Sequence, residues 1–555
     1  MKVRRFLKTL LLLVLILNLR SVNTILSNAG IVKEQNNSSY IWLWEELYGA
    51  PSNIPGEDVV FWGESLGPYH NYTEMVNKLV SLNESFPEIV DLFSLGKTWR
   101  GNEIWCVKLT NETITTAKSE YYIVGNHHAR ELISVENSLY FLDRIIYETQ
   151  FGNFTNLLSN KELYVIPMLN PDGLSIIHTF PEQRKNLREI DDDEDGTVID
   201  EYEIVYFWNT TSNTSEKIEI DLDGDSFQGE DLPGGVDLNR NYLAFWDVSG
   251  GSSPVKVEST YRGEAPFSEN ETQIIRNFMR GHFFNLAVSL HSGIQAIISP
   301  WGYNSSYPIA DGDEFQALLS ELKSITLLPL WEEIPGNYNA SGTWDDYCYL
   351  YHDIMCFTLE TYGAFPSGSF FDDYNPSGDQ IIANCEMVFP ALTYLAMEPQ
   401  LTYSNTPPSL DVTNPSRENQ VFDNYTIRWS MNDIEEDSLN CSVLVSRNGW
   451  NWTVLASNII GSTSIFWDVT DVTPGSYYLK VAVSDGENWI FDVSDIKLNV
   501  KKEPPKSRAS FWILAVFIGT SAVVYLFFYI RKTKKIGKDW EPDSYKESQA
   551  EKKKK

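Results

Sequence analysis

The sequence predicts an α/β domain built on a mixed, mostly parallel sheet covered by helices, followed by a β-sandwich and one C-terminal transmembrane helix. Three observations predict this order. Between about residues 68 and 400, short apolar runs alternate with stretches of helical periodicity, the pattern of a sheet buried on both faces. Past Thr406-Pro407-Pro408 the runs become short and alternating, with turn dipeptides between them. Residues 511–530 are apolar and uncharged, and about 20 residues are what a bilayer requires.

The elements follow in chain order. Lys2, Arg4 and Arg5 precede an apolar run from Leu10 to Leu17, and Ser27-Asn28-Ala29 offers a small-residue cleavage site, so residues 1–29 read as a signal peptide. Residues 30–67 are a polar, irregular linker. The α/β domain candidate, 68–400, then shows a helix at 74–82 and strands at 89–95, 104–109 and 121–125. A helix at 132–147 and strands at 163–168, 286–290, 296–299 and 354–359 come next. Further helices fall at 270–279, 314–325 and 381–396, and an acidic insertion occupies 189–233.

From 407 to 500, alternating segments at 425–429, 442–446 and 477–483 are separated by Asn448-Gly449, Pro474-Gly475 and Asp485-Gly486. That spacing resembles fibronectin III or immunoglobulin-like modules. After the apolar 511–530 stretch come Arg531, Lys532, Lys534, Lys535 and Lys538, so 531–555 reads as a basic cytoplasmic tail. The expected topology is a single-pass cell-membrane protein with its bulk outside. Asn-X-Ser/Thr sites at Asn71, Asn83, Asn111, Asn153, Asn270, Asn424 and Asn451 agree with an exported surface. The five cysteines show no paired metal spacing, and most read as small buried apolar residues.

The 555 residues are 43% hydrophobic and 21% charged, an ordinary globular composition. A formal net charge of −33 argues against nucleic acid as a partner, since phosphate binding needs basic patches. Such a surface favours basic or neutral substrates, although acidity also serves solubility.

The chemistry begins at His128 and Glu131. They lie just past the strand ending at Gly125, where a spacing of three puts both on one face of a first helical turn, able to share a metal. His291 closes another apolar strand. Ligands gather outside the carboxyl ends of strands in α/β sheets, so these three residues are expected to converge. Two imidazoles and one carboxylate leave a fourth position for water. A metal-held water becomes a nucleophile once a nearby group takes its proton. Glu360, ending a buried strand, suits proton transfer to and from that water.

The motifs as a set resemble those of the carboxypeptidase A/B-type zinc metallocarboxypeptidases. Gly125-Asn126-His127-His128-Ala129-Arg130-Glu131 looks like the zinc motif. Asn170-Pro171-Asp172-Gly173, Arg184-Lys185-Asn186 and Gly235-Val236-Asp237-Leu238-Asn239-Arg240-Asn241 follow in the family's order. His291-Ser292, Tyr338-Asn339-Ala340-Ser341-Gly342 and Phe357-Thr358-Leu359-Glu360 complete it. The resemblance covers about 68–399 and omits the sandwich and anchor. His₂Glu is the ligand set of carboxypeptidase A itself, so the assignment of one zinc comes with the resemblance.

The resemblance implies further roles. Glu360 becomes the general base and Arg184 the stabiliser of the developing oxyanion. Asn239 and Arg240 would clamp the substrate's terminal carboxylate, Tyr338 would cap the bound residue, and Arg130 would hold more distal positions. A planar guanidinium suits a carboxylate because two parallel hydrogen bonds fix position and charge together. His127 reads as a neighbour of the metal, not a ligand.

Asp345 falls at the family's pocket floor, which implies a preference for C-terminal Lys or Arg. Thr343-Trp344 and Tyr347 depart from the family pattern there, so the register is open. In the insertion, Asp191, Asp193, Asp195 and Gly196 match the start of a calcium loop, and Asp221, Asp223 and Asp225 repeat the alternation. Tyr202 stands where the bidentate glutamate belongs, and a solvated acidic loop fits equally. Peptide and protein C-termini are the expected partners, with the membrane. Two rival readings are a same-fold peptidase acting on cell-wall or modified peptides and a non-catalytic surface binding protein.

Overall fold

The computed structural model describes residues 68–502, apart from 117, 179, 191–203, 210–213, 220–233, 335–337, 364–369, 399–406, 417–419 and 487. The expected signal peptide, the 30–67 linker, the calcium-loop aspartates, the 511–530 membrane segment and the basic tail lie outside the described residues. Among those described, no helix is long and apolar enough to cross a membrane.

Helix α1 (Tyr72–Ser85) starts at Asn71, whose side chain accepts from the Glu74 amide while the Asn71 amide donates to Glu74, a reciprocal cap. Strands β1 (Val90–Lys97), β2 (Glu103–Leu109) and β3 (Ser119–Gly125) precede helix α2 (Ile133–Gln150). Helix α3 (Thr155–Asn160), β4 (Lys161–Ile166) and the single turn α4 (Pro171–Leu174) follow. Strands β5 (Ile204–Asn209) and β6 (Thr214–Glu219) form a hairpin within the insertion, where a loop alone was expected. Then come α5 (Asn270–Arg280), β7 (Phe284–His291), β8 (Ile294–Ile298), α6 (Gly312–Thr326), α7 (Trp344–His352), β9 (Met355–Tyr362), α8 (Phe370–Tyr374) and α9 (Asp379–Met397).

The seven strands of the main sheet run in the order β1-β2-β4-β3-β7-β9-β8. The central four, β4, β3, β7 and β9, are parallel. Strands β2 and β8 flank them antiparallel, and β1 pairs antiparallel with β2, so parallel pairing is confined to the middle of the sheet. Buried strands explain the unbroken apolar runs: in β3, Tyr121 to Gly125 are all buried.

Strand alternation decides which side chains reach the site. Thr361 faces α2 and α9: its hydroxyl accepts from Asn137 at 3.2 Å, and its carbonyl accepts from Asn384 at 2.9 Å. Glu360, one residue earlier, therefore points to the opposite face. Tyr122 lies on that opposite face, its ring against Phe278 of α5 and Trp344 of α7.

The C-terminal part is β-rich: β10 (Ser409–Asp411), β11 (Gln420–Val421), β12 (Asn424–Arg428), β13 (Ser430–Asn432), β14 (Asn440–Ser446), β15 (Thr453–Ile460), β16 (Ser464–Asp468), β17 (Gly475–Ser484), β18 (Trp489–Val493) and β19 (Leu498–Val500). A six-stranded sheet centres on β17, and β10/β13 and β12/β16 form two further pairs. This region has its own apolar core around Ile427, Trp429, Val443 and Leu479. It is bound to the α/β part by ions and rings. Arg280 reaches Asp492 at 2.6 Å and Asp495 at 2.9 Å, the Tyr351 hydroxyl donates to the Gly449 carbonyl, and Tyr478 and Val493 belong to the α/β core.

Of the sequon asparagines, Asn153, Asn424 and Asn451 are exposed, whereas Asn71 caps α1 and Asn83 accepts from the Leu92 amide. All five cysteines are buried and unpaired.

Two loops behind the site are locked to each other. The Asn186 amide donates to the Val236 carbonyl at 3.0 Å, and the Asn186 side chain accepts from the Val236 amide at 2.9 Å. Gly235 permits this approach: its φ is +91°, and a Cβ there would lie 2.0 Å from the Asn186 carbonyl oxygen. Gly235→Ala is expected to destabilise the protein by about 2–5 kcal/mol, from backbone strain plus the clash, as measured by denaturant unfolding. A change below about 0.5 kcal/mol would contradict this account of the loop pair.

Candidate metal centre and active site

The ends of three parallel strands build the site. Strand β3 stops at Gly125, where a Cβ would meet the Pro167 carbonyl at 2.7 Å, and Asn126 then turns the chain with φ +61°. The Asn126 amide nitrogen donates to the Ser134 hydroxyl, and its side chain donates to the carbonyl of His128. This ties off a tight turn carrying His128 and Glu131. Both lie in that turn, before α2 begins at Ile133, and not in the first helical turn as the spacing predicted. The correction has a local cause: Leu132 at the cap has no side chain that could satisfy the first helical amides.

His291 is the last residue of β7 and stands opposite Glu360 of β9 in the parallel register. The Glu131 carboxylate bridges the two imidazoles, with His128 Nδ1 at 2.7 Å from one oxygen and His291 Nδ1 at 2.9 Å from the other. The two Nδ1 atoms are 3.1 Å apart. Donor atoms of all three residues lie within 4.8 Å of one another, and all three residues are buried. Two ring nitrogens aimed at one point beside a carboxylate suit a zinc-sized cation, which satisfies both lone pairs and the negative charge at once. Burial alone would raise the Glu131 carboxyl, but His128 and then His291 hold it below its usual range.

Glu360 lies beside this set. Its Oε2 is buried with no hydrogen-bond partner among the described residues. Burial, and then the charge of Glu131, push its carboxyl well above the ordinary value, against the pull of Arg184, Arg240 and Arg130.

With that geometry in place, comparison with known families is decisive: the model of the zinc carboxypeptidase family matches residues 75–391. The chain belongs to the zinc carboxypeptidase family. It is by class a zinc metallocarboxypeptidase. Zinc carboxypeptidase A 1 of Drosophila melanogaster is 26% identical over 344 residues, covering 60% of this chain and 69% of the fly protein. Carboxypeptidase B of Astacus astacus is 28% identical over 254 residues, 45% of this chain and 68% of the crayfish protein. Human carboxypeptidase A1 is 26% identical over 300 residues, 53% of this chain and 62% of the human protein. The chain thus spans about two thirds of the length of these relatives. Bovine thrombin-activatable fibrinolysis inhibitor, solved with tick carboxypeptidase inhibitor, aligns at a TM-score of 0.45 and 22% identity, over 59% of this chain and 96% of that one. The β-rich region lies outside the family match.

Around the candidate metal set of His128, Glu131 and His291, most of the residues expected from sequence converge. Arg184 Nε donates to Asp237 at 2.8 Å; burial would loosen the guanidinium's hold on its proton, but Asp237, Tyr338 and Glu131 together strengthen it. Arg240 is buried, with Nη1 donating to the Asn239 carbonyl at 2.7 Å and Nε without a partner among the described residues. The Asn239 side-chain oxygen accepts from the Trp344 amide at 2.8 Å, and its nitrogen is 3.5 Å from His291 Nε2. Arg130 lies 4.2 Å over the Tyr374 ring and donates to the Glu182 carbonyl at 3.1 Å. Asp345 is buried at the start of α7, where burial raises its carboxyl while His291 and Arg240 pull it down. Tyr338 stands at the rim: it is 58% exposed and packs edge-on against Trp331, yet lies near enough to act electrostatically on Arg184. The calcium expectation has no support from the family match, and its aspartates lie outside the described residues.

Two residues, Asp237 and the metal's neighbour His127, have partners that sequence alone does not assign. Asp237 was quoted inside a motif without a role, yet its fully buried carboxylate holds Arg184 on one oxygen and stands 3.2 Å from His128 Nε2 with the other. Burial would raise it, but Arg184, His128 and Arg240 keep it well below its usual range. His127 is fully buried, with Nε2 at 3.0 Å from the Tyr242 hydroxyl and Nδ1 at 3.0 Å from Ser289 Oγ. Asp237 had a signal: an aspartate inside an apolar, glycine-led motif must find a buried cation or N–H. Ligating histidines are commonly held by such a carboxylate on the far nitrogen. Asp237→Asn is therefore expected to weaken zinc binding by roughly 10–100-fold in a competitive chelator titration, and unchanged affinity would sink the assignment.

Proposed function

We propose that the chain is an extracellular, zinc-dependent carboxypeptidase that hydrolyses the C-terminal peptide bond of peptides and proteins, with a preference for terminal Lys or Arg. The observation that carries this reading is the buried Glu360 Oε2, without a partner among the described residues, beside His128, Glu131 and His291. A structural carboxylate would have a partner, whereas one that works on water keeps an oxygen open.

Zinc, when held by His128, Glu131 and His291, supplies a Lewis acid that polarises the scissile carbonyl and acidifies water. Glu360 takes one proton from the attacking water as the C–O bond forms, and returns it to the nitrogen as the C–N bond breaks. Arg184, oriented by Asp237, steadies the negative charge that develops on the carbonyl oxygen. Arg240, whose Nε has no partner among the described residues, and Asn239 receive the substrate's terminal carboxylate. Arg130 serves more distal substrate positions, and Tyr338 closes over the bound residue from its exposed loop.

Asp345 is the basis for the Lys/Arg preference. An incoming cation would offset the burial that now disfavours its charge. The extracellular, membrane-tethered placement rests on sequence: the leader at 1–29, the apolar 511–530 and the basic residues after it.

The test uses the full chain and peptides ending in Arg or Phe. Amino acids are expected to be released one at a time, faster from Arg-ended peptides, and release should stop on chelation. Glu360→Gln should keep its zinc and lose roughly 10²–10⁴-fold in turnover. Undiminished release by zinc-loaded Glu360→Gln would remove the proposed mechanism, and faster release of Phe would remove the role given to Asp345.

A further inference from the structure

We propose that His127 is a positioning residue, which aligns the His291 imidazole for metal and couples it to the loop carrying Asn239 and Arg240. The inference rests on the zinc reading above, because it concerns the orientation of a zinc ligand. His127 follows Asn126 in the tight turn and precedes His128, but its donor atoms lie outside the metal set. Its ring is nearly parallel to that of His291, at an interplanar angle of 15° and 5.4 Å between centroids.

An apolar side chain would fill this volume without the cost of burying two polar nitrogens. Both nitrogens are instead engaged by hydroxyls at 3.0 Å, one from each of two different elements. Ser289 lies on β7, two residues before His291, on the same face of the strand. Tyr242 follows Arg240 by two residues, in the turn after the 238–240 helical segment. Two hydrogen bonds to opposite ends of an imidazole fix the rotation of its plane, which packing alone leaves adjustable. The fixed plane is the surface on which His291 rests. One ring therefore joins the turn of His128, the strand of His291 and the clamp loop. The bland alternative is a satisfied core histidine that any side chain of similar volume could replace.

Cobalt(II) absorption in place of zinc separates the two, because its visible bands report ligand geometry independently of activity. His127→Leu keeps the volume and removes both hydrogen bonds. The double variant Ser289→Ala/Tyr242→Phe keeps the ring and removes its anchors. Both are expected to shift the cobalt spectrum and to weaken metal binding by roughly tenfold or more. His127→Gln, which can still bond both hydroxyls, should recover part of the affinity. A wild-type spectrum and affinity in the double variant would overturn the proposal, even if His127→Leu fails to fold. A wild-type chain that takes up no cobalt would overturn the zinc reading and this inference with it, whereas normal uptake by wild type and variants alike overturns this inference alone.

Discussion

The site depends on parallel pairing among β3, β7 and β9. That pairing sets Gly125 opposite Leu290 and His291 opposite Glu360, so strand register alone brings the end of one strand beside the ends of the next two. A slip of one residue in β9 would turn Glu360 toward α2 and α9 and bring Thr361 to the metal side. The polar ties of Thr361 to Asn137 and Asn384 work against that slip, because they would be broken and left buried. The face of the sheet toward α2 and α9 thus holds the reactive face in place.

Charge is the second constraint. Glu131 and Asp237 are buried with the partly buried Glu360 beside them, and Arg130, Arg184 and Arg240 are gathered around all three. Carboxylates packed this closely are tolerable only with cations interleaved. Asp237 makes the arrangement specific, since its two oxygens address Arg184 and His128 from one carboxylate. The cation proposed for the His128–Glu131–His291 set would complete the balance. The β-rich region touches this assembly at one remove: Tyr351 of α7 bonds to Gly449, and the same helix begins where Trp344 and Asp345 meet the site.

The strands were legible because burial on both faces leaves apolar runs that no solvent-exposed element produces. The paired motif residues were legible because their order along the chain matches the order of the strand ends. Helix α7 was not legible. Its Trp-Asp-Asp-Tyr-Cys-Tyr-Leu-Tyr-His sequence is buried nearly all round and has no amphipathic stripe, and only Thr343, which caps the Asp346 amide, announces it. The turn of His128 and Glu131 was read as helix because a spacing of three fits a turn as well as a helix. The roles of Asp237 and His127 were hidden for another reason. Their partners, Arg184, Tyr242 and Ser289, are separated from them by 53, 115 and 162 residues, and only the fold brings them together.

The central claim is that His128, Glu131 and His291 hold one zinc ion. Anomalous diffraction across the zinc absorption edge, on crystals of the purified protein, tests it most directly. The account predicts a single strong peak about 2.0–2.2 Å from a nitrogen of each histidine and an oxygen of Glu131. A peak at other residues, or none in protein that retains peptidase activity, would contradict it.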